Sequence, residues 1–243
     1  MTYKKYSPQD THSYAFGFFP SLEALTHIPQ LCRAVIYESR AQKSDALTKI
    51  EALCKTHRIP FTQDDKTLTK LAPSENTFIL TVFDKPITPL SADANHLVLV
   101  SPSDMGNLGT IFRTALGFGM KHIALIQPCA DYHDPRAVRA SMGAVFSLNI
   151  QKYPTFEAYR ADFPHHAAYP LMTDGAKPLD AIQFASPYAL IFGNESAGLP
   201  PNFGQIGQTV FIPHSDAIDS LNLAIAVGIV LYTVNPKTQP KSE

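Results

Sequence analysis

Apolar positions along the chain change period several times, and each change marks an element. The run Ala34, Val35, Ile36, Tyr37 sits between polar residues and predicts a short strand. Over residues 43–57, Leu47, Ile50, Leu53 and Cys54 recur at helical spacing and predict an amphipathic helix. Residues 59–62 and 77–83 read as further strands. Residues 84–95, DKPITPLSADAN, hold Pro86 and Pro89 and show no periodicity, so they read as a linker. Beyond it the alternation is stronger. Strands are predicted at 96–100, 122–126, 188–192 and 209–212, and helices at 108–118, 155–162 and 221–234. Strand and helix in turn predict an α/β fold with a mostly parallel sheet, which binds ligands at the carboxyl ends of its strands. The expected organisation is a smaller α/β domain over 1–85, a linker over 86–95, a larger α/β domain over 96–235 and a frayed polar tail over 236–243.

Composition narrows the class. At 243 residues, 45% hydrophobic and 17% charged, the chain can bury a core and is not expected to be disordered. Its three cysteines, Cys32, Cys54 and Cys129, lie far apart, which excludes a disulfide scaffold and a CxxC zinc site. The histidines lack metal-ligand spacing, so no metal is expected. Net charge is −1, with 11 Lys/Arg against 9 Asp/Glu in residues 1–90. An acidic partner must therefore be held by local patches rather than by a global field. The longest apolar stretch, 221–234, is shorter than the roughly 20 residues of a membrane span. The opening MTYKKYSPQD lacks the apolar core of a signal peptide. A soluble cytoplasmic protein is expected.

Three segments that follow strands carry the candidate chemistry. In SPSDMGNLGTIFRTALGFG (101–119), Asn107 stands where a helix should begin, and Leu108, Ile111, Phe112, Ala115 and Leu116 form its apolar stripe. Arg113 lies off that stripe, and its neighbours one turn away are Gly109 and Gly117, which leaves room for a ligand or another backbone. The plainer reading is an N-cap and tight helix packing. In YALIFGNESAGLP (188–200), an apolar strand runs into Gly193, Asn194, Glu195 and Gly198; the plainer reading is a surface turn. In VFIPHSDAIDSLNLAIAVGIVLY (210–232), Ser220 is the natural cap of a helix apolar almost all round, hence expected to be buried, with Asn222 a buried amide in its first turn. Ala224 and Gly228 suit close contact with another helix. The chain contains neither GxGxxG, GxxxxGK[ST] nor GxSxG, against the common dinucleotide, triphosphate and hydrolase loops.

Together these segments resemble, in order and spacing, the three signature motifs of the SpoU or TrmH-like RNA 2′-O-ribose methyltransferases of the SPOUT superfamily, over roughly residues 93–235. Asn107, Gly109, Arg113 and Gly117 match the first motif; Phe192, Gly193, Asn194, Glu195, Gly198 and Leu199 the second; Ile212, Pro213, Ser220, Leu221 and Asn222 the third. RASMGAVF (139–146) is also similar to a family segment, and residues 1–85 resemble the ribosomal-protein-like substrate-binding domain many members carry. Family members often have Met where His214 stands, Gly where Asp216 stands and Arg where Ser147 stands.

The resemblance implies a trefoil-knotted C-terminal domain, S-adenosylmethionine as cofactor and a homodimer to which the 221–234 helix contributes. It implies cofactor contacts at Thr173, Gly193, Asn194, Ile212, Leu221 and Asn222, and catalytic roles for Arg113, Asn107, Glu195, Ser220 and Asn222. The substrate is expected to be RNA, ribosomal rather than transfer, with Lys4, Lys5, Arg40, Lys43, Lys49 and Arg58 as candidate contacts. Two other readings are an inactive RNA-binding or ribosome assembly protein on this fold, and an enzyme using the same cofactor on a small alcohol.

Overall fold

A computed structural model describes residues 3–41, 44–174 and 177–235. The chain forms two compact units, one comprising residues 1–86 and 131–147, the other 87–130 and 148–243.

The first unit is a four-stranded mixed sheet with helices on both faces. Its elements are β1 (His12–Phe16), α1 (Phe18–His27), β2 (Cys32–Tyr37), α2 (Asp45–His57), β3 (Phe61–Gln63), α3 (Asp65–Leu71) and β4 (Ile79–Asp84), with strand order β1-β4-β2-β3. Only β2 and β3 pair in parallel. The two-residue pleat divides the core. Val35 and Ile79 join Leu25 of α1 and Leu47, Ile50 and Cys54 of α2 on one side; Ile36, Leu80 and Val82 join Tyr14, Leu68 and Leu71 on the other. Ser44 caps α2 and Asp64 caps α3, each accepting from a backbone N–H three residues on.

Residues 131–147 correct the expected domain boundary, because they pack with the first unit rather than with the sequence on either side. The Ser13 hydroxyl donates to the His133 carbonyl, the Tyr6 hydroxyl to the Asp131 carboxylate, and Phe146 meets Phe83 edge-on at 4.9 Å. Within this excursion, α5 (Pro135–Ala140) leads to Gly143, whose φ is +85°. A Cβ there would collide with the Glu23 side chain of α1.

The second unit is a five-stranded parallel sheet. Its elements are β5 (His96–Val100), α4 (Met105–Gly117), β6 (His122–Ile126), β7 (Asn149–Tyr153), α6 (Phe156–Asp162), β8 (Ala167–Pro170), β9 (Lys177–Pro178), β10 (Tyr188–Phe192), β11 (Val210–Phe211) and α7 (Leu223–Val234). Sheet order is β7-β6-β5-β10-β8, and β9 pairs with β11 separately. Val98, Ala124 and Ile191 share one core with Phe156 and Tyr159 of α6 and with Phe163, which caps its end. Leu97 and Leu99 point the other way and are also fully buried. The chain runs from β5 outward to β7, then resumes on the far side of β5 at β8 and β10. The switch point therefore falls between β5 and β10, where such sheets bind ligands.

The expected linker is fastened rather than free. From residue 87 it belongs to the second unit, where the Thr88 hydroxyl accepts from Ile150 N at 2.9 Å. Three histidines hold its far end. His96 Nε2 lies 2.8 Å from the Ser91 carbonyl, His166 Nε2 lies 2.8 Å from the Ala94 carbonyl, and His122 Nδ1 accepts from Ser91 N at 3.2 Å. His96 is fully buried, stacked on His166 at 4.3 Å, with Nδ1 2.9 Å from the Tyr159 hydroxyl. Burial lowers its pKa to about 4, the Ser91 carbonyl opposing the shift and His166 and His122 adding to it. A depressed histidine pKa means that the unfolded chain takes up the proton first on acidification. This contribution is complete above about pH 6.5 and is lost as pH falls toward 4. Urea unfolding at pH 5 and pH 7 should show stability lower by up to about 2 kcal/mol at pH 5. A smaller difference is expected in His96→Gln.

Candidate active site

The loops that leave β5 and β10 meet at the switch point. Glu195 joins them: its carboxylate accepts from Ser103 N at 3.0 Å, the Ser103 hydroxyl at 2.9 Å and Asp104 N at 3.1 Å. Burial would raise this carboxyl, but the N–H groups of Glu195, Ser103 and Asp104 and the Ser103 hydroxyl outweigh it and hold the pKa below the usual value. Glu195 thus stays ionised at neutral pH and is a poor proton acceptor there. Its geometry is that of a positioning group. Asp104 in turn caps α4 by accepting from Asn107 N at 2.7 Å.

Asn194 closes its own loop. Its Nδ2 donates to the Ser101 carbonyl at 2.8 Å, and its Oδ1 accepts from Ser196 N at 2.9 Å and Ala197 N at 3.2 Å. Backbone bonds in both directions between Asn194 and Gly198 complete a tight turn. A Cβ on Gly193 would overlap the Gly198 carbonyl and the Leu199 amide, so only glycine fits there.

Two helix caps differ from the sequence expectation. Asp104, not Asn107, caps α4, which starts at Met105. Asn222, not Ser220, caps α7, with Oδ1 accepting from Ala224 N at 2.9 Å and Ile225 N at 3.3 Å. Nor is Asn222 a buried amide: it is exposed, and its Nδ2 donates to Asn107 Oδ1 at 3.2 Å. That bond ties the start of α4 to the start of α7. The helix α7 is not buried all round either, since Ile225, Ile229 and Tyr232 are 57%, 37% and 57% exposed on one stripe. α7 does pack on α4, but a Cβ on Gly228 would meet the Thr114 methyl at an ordinary 3.7 Å, so that contact does not require glycine.

A cavity of about 320 Å³ lies beside these loops, walled by residues of segments 171–173, 192–198, 210–214 and 219–226. This volume falls in the range of small-molecule sites. Of the expected cofactor contacts, Thr173, Gly193, Asn194, Ile212 and Leu221 line it, and Asn222 does not. Of the expected catalytic residues, Glu195 and Ser220 line it, while Asn107, Arg113 and Asn222 do not. Arg113 is exposed and makes no side-chain hydrogen bond or ion pair among the described residues. Of its glycine neighbours, Gly117 is exposed but Gly109 is buried, so only one end of that face is bare. Ser101, Ser103 and Asp104 were not among the candidates. Asp104 carried a readable signal, an N-cap residue type three positions before Asn107.

The candidate RNA contacts do not form one patch. Lys49 and Arg58 belong to α2 and its C-cap, on the α1 side of the first sheet, whereas Lys4 and Lys5 flank Tyr3 and Tyr6, which pack on the opposite core. Arg40 pairs with Glu38 through two nitrogens. Lys43 lies outside the described residues. Lys5 borders a second cavity, of about 340 Å³, together with Tyr6 and Arg136. No group of three metal-ligating side chains occurs among the described residues, and no helix among them is long and apolar enough to cross a membrane.

A parallel α/β sheet with a small-molecule cavity at its switch point, walled by three motif-bearing loops, defines a ligand-binding α/β protein. The SpoU rRNA Methylase family model matches residues 94–232, and the chain belongs to that family. An uncharacterized tRNA/rRNA methyltransferase of Synechocystis is 36% identical over 139 residues, covering 56% of this chain and 51% of that protein. The 23S rRNA (uridine(2479)-2′-O)-methyltransferase of Streptomyces viridochromogenes is 32% identical over 157 residues, covering 59% and 53%. The chain thus spans about half the length of these curated relatives. The SpoU methyltransferase AviRb of Streptomyces viridochromogenes, solved in complex with the cofactor AdoMet, superposes with a TM-score of 0.78 at 25% identity over 93% of this chain and 90% of that one. The fold is accordingly the knotted α/β type of the SPOUT methyltransferases, preceded by a smaller α/β unit.

Proposed function

We infer that this protein transfers a methyl group from S-adenosylmethionine to a ribose 2′-hydroxyl of RNA, with ribosomal RNA the preferred substrate. The observation that carries the reading is the cavity at the switch point, walled by the second and third motif loops and tied to the first by the Asn107–Asn222 bond. The cavity suits the cofactor: Gly193 and Ile212 line it, and its volume is that of a small-molecule site. Homology to a 23S rRNA 2′-O-methyltransferase and likeness to an AdoMet-bound SpoU enzyme support the same reading.

When bound, the cofactor supplies an activated methyl group, so the chain must orient and exclude rather than activate. Glu195 and Asp104 hold the β5 exit and the start of α4 in place. Ser220, on the cavity wall, and Asn107, at the start of α4, are the polar groups for the ribose. Arg113 offers a free cation for the phosphate next to the reacting sugar. Arginine resists deprotonation, so its role is to clamp the phosphate while the 2′-proton leaves through phosphate or water. Of the candidate RNA contacts in the first unit, the adjacent exposed cations Lys4 and Lys5 are the ones assigned to RNA. The cytoplasm, where ribosomal RNA is accessible, is the compartment this reading implies.

The exposed stripe Ile225, Ile229 and Tyr232 supports a homodimer through α7. Sedimentation should show a dimer that Ile229→Asp converts to monomer. Calorimetric titration with S-adenosylmethionine tests the cofactor reading, with saturable binding near one site per chain expected.

A further inference from the structure

The charged side chains on the cavity wall are of one kind. Among the described residues that line it, Glu195 and Asp219 are acidic, His214 is titratable, and none is Lys or Arg. Glu195 is a fixed negative charge, held ionised by the amides of Ser103 and Asp104. Asp219 makes no hydrogen bond or ion pair among the described residues, so nothing there neutralises it.

His214 is oriented by its own loop. Its Nδ1 lies 2.8 Å from the Ile212 carbonyl. A carbonyl only accepts, so Nδ1 carries the hydrogen and Nε2 the lone pair. A second proton therefore enters at Nε2 without breaking that bond, and puts a positive charge on the wall. Glu195 of the β10 exit loop and Asp219 share the cavity wall with His214, while Asp216, two residues further along its loop, is not part of the lining. The 171–173 segment and α7 contribute only uncharged residues to the lining, and Asp174, which follows Thr173, is not part of it.

The methyl donor and its demethylated product differ in charge at one atom, a sulfonium in the first and a neutral thioether in the second. We propose that His214 and Asp219 make this cavity sense that charge, favouring the sulfonium donor over the thioether product while the imidazole is neutral and losing that preference when it is protonated. The inference rests on the methyl-donor reading above and adds to it a means of product release. His214 and Asp219 are exposed, and a water-screened unit charge close by changes affinity by about three- to tenfold.

The test is calorimetric titration of the full chain with S-adenosylmethionine and S-adenosylhomocysteine separately, at about pH 7.5 and about pH 5.5. The quantity read is the ratio of product Kd to donor Kd. It should fall about three- to tenfold on acidification of the native protein. In His214→Gln it should not change with pH, and in Asp219→Asn it should be lower at both values. Product binding, which carries no sulfonium, reports that each variant is folded. A ratio independent of pH in the native protein, or one whose pH dependence survives in His214→Gln, overturns the proposal. Failure of both ligands to bind at either pH overturns the methyl-donor reading with it.

Discussion

Arg113→Ala should lower the rate of methyl transfer by about 10²–10³, the scale for removing one preorganised charge-stabilising group from an active site. The same variant should bind S-adenosylmethionine within twofold of the native protein. The two expectations come from different parts of the structure. Arg113 is exposed on α4 and has no intramolecular partner among the described residues, so its loss should leave stability within about 0.5 kcal/mol. It does not line the cavity, so cofactor affinity has no reason to change. What is lost is a planar cation able to hold a phosphate by two parallel bonds. For that reason Arg113→Lys should recover only part of the rate. Single-turnover measurement at saturating cofactor, beside calorimetry, separates the two effects. Native turnover in Arg113→Ala would remove this residue from the mechanism.

Gly193→Ala should be among the most damaging small substitutions in the second unit. The added methyl would overlap the Gly198 carbonyl and the Leu199 amide, both backbone groups. They cannot move aside, because the turn is closed by two Asn194–Gly198 backbone bonds and anchored on the Ser101 carbonyl. A loss of about 3 kcal/mol or more is expected, with cofactor affinity falling at least about tenfold. Gly117→Ala is the matched control. A Cβ there meets nothing within 4 Å in a helix, so stability should hold or rise slightly. Thermal and urea unfolding of the two variants side by side would show whether crowding, and not glycine loss as such, is responsible.

The elements legible in the sequence were those with uninterrupted apolar runs. β5, β6 and β10 match their predicted spans because strands buried on both faces read as continuous hydrophobic stretches. Helix starts were less legible. Asp104 and Asn107, like Ser220 and Asn222, are all capping residue types within a few positions of each other, and local pattern does not choose between them. β1, α1 and α3 were not anticipated; α1 carries Pro20 in its first turn and α3 is only seven residues long, so neither offers a sustained period. The packing of 131–147 with the first unit rests on contacts more than a hundred residues apart, such as Ser13 with His133, which no local pattern encodes.

The site was legible as three motifs but not as a geometry. That Glu195 would grip Ser103 and Asp104 follows from β10 lying next to β5, a consequence of strand order rather than of either segment. The exposed stripe of α7 was hidden for a similar reason. A helix apolar all round reads as buried, and only its packing on α4 decides which face remains open.

The most direct test of the account is transfer of tritium from methyl-labelled S-adenosylmethionine to ribosomal RNA, followed by alkaline digestion. A methylated 2′-oxygen cannot attack the adjacent phosphate, so its linkage survives alkali. The account predicts label in alkali-resistant dinucleotides, formed about 10²–10³ times more slowly with Arg113→Ala. Label released as mononucleotides, which marks methylation on a base, or no transfer by a protein that binds the cofactor, would contradict it.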